Sequence, residues 1–275
     1  MPRTATLVLS GLFLALIATA PLAQTVSSDV EINNAGALSS DPQGPSNAAV
    51  TSNLTFPGAA TIDFSGDGFG KATQRPDGVG AVLADVLIAN GQPVNHAVAS
   101  TNWTETVTNN TGVSTNYTFD FFITPPSLRI ADYARLEETD LYRPDVSFQV
   151  TILANGSPIF QSEAHLIGGV VSHVLNETGT SLSPAFVPGS VRFGYDFQPY
   201  ADTIVLGPVA PGGSLTVEYQ MVARVETPGF ESGGRAQIGD PFDLDGTPGF
   251  SGTLTPGGPV PVEETTWGQI KSLYQ

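Results

Sequence analysis

Tyr117, Phe119, Phe121 and Ile123 alternate along the chain with Thr118, Asp120, Phe122 and Thr124. A period of two sends successive side chains to opposite faces, so this stretch reads as a strand with an aromatic stripe on one face. The same pattern recurs. Val146, Phe148, Val150 and Ile152 lead into Asn155-Gly156, and Ile159 to Leu166 lead out, which is the signal of a tight hairpin. Val191, Phe193, Tyr195 and Phe197 alternate with Arg192, Gly194 and Asp196, and Leu215, Val217, Tyr219 and Met221 with Thr216, Glu218 and Gln220. Thirty glycines and 22 prolines punctuate these runs, and no long helical period interrupts them. The expected fold is all-β: an antiparallel β-sandwich, Ig-like or jelly roll, with a single main domain.

Two further turns are expected to join neighbouring strands. Thr101 to Thr108 meets Asn109-Asn110-Thr111-Gly112 and then Ser114 to Thr124, and Ile204 to Leu206 meets Leu215 to Val225 through Pro211-Gly212-Gly213. Weak helical character is confined to Ile130 to Thr139 and the last ten residues.

The N-terminus reads as a secretory leader over residues 1–23. Arg3 precedes an apolar run from Leu7 to Ile17, then small residues at Ala18, Ala20 and Ala23. That run is shorter than the ~20 residues a membrane span needs, so no transmembrane span is expected in the mature chain. Residues 24–53 read as a loose segment with one edge strand near Val26 to Ile32. The sandwich is expected over 54–252, a Pro/Gly linker over 253–264 and a short tail over 265–275.

Charge narrows the partners. The chain carries 10 basic and 26 acidic residues, and loss of Arg3 with the leader moves the net charge from −16 to −17. Such a surface repels nucleic acid, which binds through clustered Lys and Arg. Other extracellular proteins or polysaccharide are the partners it suits. There is no cysteine, which excludes a disulfide framework, thiol catalysis and Cys-ligated zinc; the core alone must hold the fold.

The segment from Ile204 to Tyr219, IVLGPVAPGGSLTVEY, and the stretch RAQIGDPF from Arg235 resemble the closing strands of bacterial exported Ig-like β-sandwich surface proteins, which carry varied C-terminal anchors. The resemblance implies an exported sandwich and supplies no catalytic residue. Those families often end in a Pro-Glu-Pro motif, an apolar helix and a basic cluster. This chain ends instead in TTWGQIKSLYQ, where Trp267, Ile270, Lys271, Leu273 and Tyr274 would form a short docking tail at helical spacing.

Calcium is the one cofactor that the residues suit. Asp240, Asp243 and Asp245 lie in GDPFDLDGTPG, and Asp63 and Asp67 in DFSGDGFG; hard cations take several oxygen ligands from such loops. Neither completes an EF-hand, and Asp-Gly turns between strands have the same composition. Glu163 and His165, two apart, share a strand face and suit a metal or a proton transfer, but no third partner is evident. Glu137, Glu138 and Asp140 do not read as an active-site strand, and nucleophile-elbow and phosphate-loop motifs are absent. Trp103, Tyr117 and Tyr133 suit either sugar stacking or core packing. Six Asn-x-Ser/Thr triplets, Asn109 among them, occur in Thr- and Asn-rich text that generates them by chance. The expectation is a non-enzymatic exported surface or matrix protein acting by display and association; the alternative is a carbohydrate-binding, lectin-like module, calcium-dependent in its fullest form.

Overall fold

The computed structural model describes residues 23–34, 37–40, 43–47, 54–55, 68–74, 78–86, 90–132, 143–230, 232–243 and 246–259. In chain order the strands are β1 (Ala23–Asn34), β2 (Ala37–Ser40), β3 (Gln43–Asn47), β4 (Leu54–Thr55), β5 (Gly68–Gln74), β6 (Val79–Val86), β7 (Asn90–Thr108), β8 (Thr115–Ile123) and β9 (Ser127–Asp132). They continue with β10 (Asp145–Ala154), β11 (Ser157–Gly168), β12 (His173–Gly179), β13 (Ala185–Val187), β14 (Arg192–Asp196), β15 (Tyr200–Val209), β16 (Ser214–Phe230), β17 (Ser232–Ile238) and β18 (Phe250–Pro259). The described residues form an all-β, antiparallel sandwich.

One sheet runs β12-β11-β10-β16-β7-β1, with β2 and β3 side by side on the far edge of β1. β1 pairs β7 along its whole length, from Ala23↔Thr106 to Asn34↔Asn95. The strand expected at an edge near Val26 to Ile32 therefore lies inside the sheet.

The second sheet is built from long lines of chain broken at one level. β17 and β18 pair successive halves of β6, at Ile238↔Val82 and then Phe250↔Gly80. β9 and β8 pair these two in turn, and β14 and β15 lie beyond. The breaks fall at 124–126, 197–199 and 239–249, and each holds proline: Pro125 and Pro126, Pro199, and Pro241 with Pro248. Proline supplies no ladder donor, so a ladder is interrupted where it sits. Bonds still cross the break, Thr124 N donating to Gly249 O at 3.0 Å and Phe197 N to Pro126 O at 3.0 Å.

The Asn155-Gly156 hairpin forms as expected. Asn155 and Gly156 have φ of 49° and 76°, and Ala154 faces Ser157, as a tight primed turn requires. The other two expected pairings do not form. β7 pairs β16 in the first sheet, whereas β8 pairs β15 in the second. The turns at Asn109 and Pro211 are thus two adjacent arches that carry the chain between sheets. Asn109 ties them together. Its N–H donates to Gly213 O and its carbonyl accepts from Gly212 N, while its buried side-chain amide donates to Val113 O and Val209 O. With its Oδ1 also accepting from Thr111 N at 3.0 Å, this Asn is structural and closed to modification in the folded state.

The inward stripes match the alternation. Tyr117, Phe119, Phe121 and Ile123 of β8 are buried, as are Leu215, Val217, Tyr219 and Met221 of β16. Trp103 of β7, 1% exposed, lies between the sheets with ring centroids 5.5 Å from Tyr219 and 6.2 Å from Phe119. Offset aromatic pairs of this kind add about 0.5–1.5 kcal/mol each beyond their burial. At one flank His173 of β12 stacks on Phe186 of β13 at 5.1 Å, closing that side of the sandwich.

Two boundaries differ from expectation. Ile130 to Asp132, part of the weak helical stretch, belongs to strand β9; tertiary pairing with β14 and β17 overrides local propensity there. The expected linker from Thr253 is strand through Pro259, paired to β8 as far as Pro259↔Thr115. Beyond Ser251 the described ladder pairs β18 with β8 alone, which is where a strand tolerates proline. Residues 1–22 of the expected leader and the 265–275 tail lie outside the described residues, as do Glu137, Glu138, Asp140 and Tyr133, whereas Ala23 opens β1.

Candidate functional site

The Gly239–Gly249 segment, expected as an acidic metal loop, connects β17 to β18. Its ends touch: a Cβ on Gly239, whose φ is 69°, would collide with the backbone of Gly249, so only glycine closes the loop. Buried Thr73 Oγ1 donates to Pro241 O at 3.0 Å and pins the excursion to β5. Asp240 Oδ1 accepts from Phe242 N at 2.9 Å, and Asp243 Oδ1 accepts from Gly246 N at 3.0 Å. These are the side-chain-to-backbone bonds that make Asp a turn residue. Asp245, Asp63 and Asp67 lie outside the described residues. Among the described residues no group of three or more His, Asp or Glu gathers as a metal site.

Glu163 and His165 do share a face, and the structure adds the third partner that sequence reasoning missed. His165 Nε2 lies 2.8 Å from Glu163 Oε1, and Nδ1 lies 3.3 Å from Asp145 Oδ1. The hairpin turn alone does not give this partner: an irregularity between Ile152 and Leu153 shifts the ladder by one, so that Ser147 faces His165 and Asp145 faces Ile167, which makes Asp145 and His165 diagonal neighbours. The imidazole thus bridges two carboxylates in a half-exposed cluster on the outer face of the first sheet.

Trp103 and Tyr117 are core residues. Phe122, 38% exposed, stands on the outer face of the second sheet. Asp120, Thr203, Ser251 and Thr253 surround it in an open groove of about 580 Å³, where Thr203 Oγ1 donates to Asp120 Oδ1 at 2.5 Å.

A more enclosed cavity, about 320 Å³, lies at the other end of that sheet. Its charged lining is Asp85, Arg129, Arg192 and Arg235. The apolar part of the lining comes from Val86, Ile130, Ala131, Val187 and Phe193. Alternation creates it. Ile130 and Phe193 point into the core, so Arg129 and Arg192 point outward from β9 and β14. Arg235 of β17 faces Asp85 of β6 on one side and Arg129 on the other. Arg235 Nε donates to Asp85 Oδ2 at 2.7 Å, and its Nη2 also bonds that oxygen. Arg129 is fixed by Nη1 donating to Tyr195 O at 2.7 Å and Nη2 to Asp196 Oδ1 at 2.5 Å. Burial pushes the Asp85 carboxyl above its ordinary range, against the pull of Arg235 and of Arg192. No single segment of the sequence carries this cluster; it appears only when strand register brings three arginines together.

Comparison with protein-family models and with curated proteins gives no match.

Proposed function

We propose that this protein is a non-enzymatic, exported sandwich that acts by display and association at the cell surface or in the surrounding matrix. The observation that supports this reading is the open edge at β15. That ten-residue strand is hydrogen-bonded to β8 alone among the described strands, and Val205 at its middle is 65% exposed. β13 covers β14 but stops before β15 begins. An uncovered edge presents unpaired backbone groups and is a template for strand addition. The occupant is a second copy of the chain: two β15 edges meeting antiparallel form a self-complementary two-fold contact. With a net charge of −16, such contacts strengthen as salt screens repulsion. Sedimentation velocity over a range of protein and salt concentrations tests it. Concentration-dependent dimers that disappear in Val205→Lys support the reading, and a monomer under every condition removes it.

A polysaccharide-binding role is the second reading, favoured by the Phe122 groove. One exposed ring beside a carboxylate and several hydroxyls offers a stacking face with hydrogen-bonding neighbours. Retention of the chain in polysaccharide-containing native gels, lost in Phe122→Ala, is the result that would place it above the first.

A further inference from the structure

We propose that the Phe122 groove of the second sheet takes the protonated amino-sugar unit of a polysaccharide. The inference rests on the reading of this groove as a saccharide site and narrows it to one class of sugar. Three observations carry it. The first is an uncovered ring. Phe122 of β8 faces Ala201 of β15 on one side and Ser251 of β18 on the other. Both side chains are small and leave the ring 38% exposed. Among the described residues no other aromatic ring packs on it, so it is open to the apolar C–H face of a sugar.

The second is uncompensated charge. Asp120 and Asp202 both line the groove, and no basic side chain does. Asp120 accepts from a neutral donor, Thr203 Oγ1 at 2.5 Å. Asp202 accepts from Thr203 N at 2.8 Å and from Tyr200 Oη at 3.3 Å, which are neutral as well. Among the described residues neither carboxylate has a cationic partner. Asp85 and Asp196, by contrast, each pair with an arginine. The groove therefore presents negative charge that a ligand can neutralise.

The third is how ring and charge are set together. The row Thr203–Asp120–Thr253 lies beside the row Ala201–Phe122–Ser251 on the same face. Residues two apart on a strand are about 7 Å apart, so a substituent on a sugar stacked over Phe122 comes within reach of Asp120. An ammonium in that place gains a charge-assisted hydrogen bond from the carboxylate and attraction from the ring face. A neutral sugar gains the stacking alone, and a sugar acid meets two aspartates that repel it. The volume of about 580 Å³ falls in the range of small-molecule sites.

Calorimetric titration of the full chain with trimers of glucosamine, N-acetylglucosamine and glucose tests the site, at a pH that keeps the free amine protonated. Saturable binding of the glucosamine trimer is expected, about ten-fold or more tighter than that of the other two. Asp120→Asn keeps an acceptor for Thr203 and should remove that preference; Asp202→Asn, the second variant, should reduce it. Phe122→Ala should weaken all three. A net charge of −16 attracts any cation, so Glu218→Gln, on β16 of the other sheet, is the control: it removes the same charge and should leave the affinities unchanged. Equal losses in Glu218→Gln and Asp120→Asn overturn the proposal. Equal binding of all three trimers, lost in Phe122→Ala, also overturns it but keeps the saccharide site, whereas binding of none removes both.

Discussion

The side-chain amide of Asn109 donates to the carbonyl of Val209 at 2.7 Å, joining the arch that leaves β7 to the arch that enters β16. The same amide reaches Val113 O at 2.9 Å, so one buried group satisfies carbonyls on both crossovers. Removing one partner of a buried hydrogen bond costs about 1–3 kcal/mol per group left unpaired. Asn109→Ala takes this donor from Val209 O and this acceptor from Thr111 N–H, while Val113 O keeps Thr111 Oγ1 at 2.7 Å, and a loss of about 2 kcal/mol is expected in urea unfolding. Asn109→Asp keeps the acceptor and loses both donors, so it should also destabilise. A loss below about 0.5 kcal/mol in the alanine variant would mean that the arches hold without this tie.

Tyr219 offers a second probe of the interior. Its hydroxyl lies 2.6 Å from Gln74 Oε1 and 3.1 Å from Gly78 O, bonding β16 of one sheet to the end of β5 and the residue before β6 in the other. Tyr219→Phe preserves the ring contacts with Trp103 and Phe250 and deletes only this bond. A loss of about 1–2 kcal/mol is expected, read from the midpoint shift at constant denaturant slope.

These two residues mark where sequence reading succeeds and where it stops. Alternation placed Tyr219 and Phe119 on the core side because burial on one face is a local, period-two signal. Partner choice is not local. Asn109 and Pro211 carry turn chemistry that serves a hairpin and an arch equally, so the text between β7 and β8 could not say that the chain changes sheets. The prolines at 126, 199 and 248 were visible, but their alignment at one level of the second sheet depends on register. The arginine cavity is hidden for the same reason. Arg129, Arg192 and Arg235 are far apart in sequence and meet only after three strands pair. Asp145 was hidden as well, since the register shift between Ile152 and Leu153, and not the Asn155-Gly156 turn alone, sets its place beside His165.

The Gly239–Gly249 loop separates a turn from a metal site. Asp243 Oδ1 holds the Gly246 N–H, a cap-like bond whose loss costs about 1 kcal/mol. Asp243→Ala should therefore lower stability by about that much, equally in calcium and in chelator. A thermal midpoint of the wild-type chain that rises with calcium, and a larger loss for Asp243→Ala in calcium than in chelator, would assign the loop to the metal instead. At about 100 times its dissociation constant a bound ion adds about 2.7 kcal/mol, which a midpoint shift resolves easily.

Asp85 gives the chain a pH signature. Burial raises its proton affinity in the folded state above the ordinary value of 3.8, although Arg235 and Arg192 oppose the rise. A carboxyl shifted in this direction binds its proton more readily folded than unfolded. Its contribution to stability is then fully present below 3.8 and is lost as pH rises through the folded value. Asp85→Asn cannot titrate, so the stability difference between wild type and this variant isolates the effect. Urea midpoints measured from below 3.8 to neutrality should show wild type losing ground to Asp85→Asn across that window and then levelling off. Arg235→Met removes the largest opposing influence and should extend the window to higher pH. The opposite slope, wild type gaining as pH rises, would mean that the Arg235 guanidinium outweighs burial at Asp85.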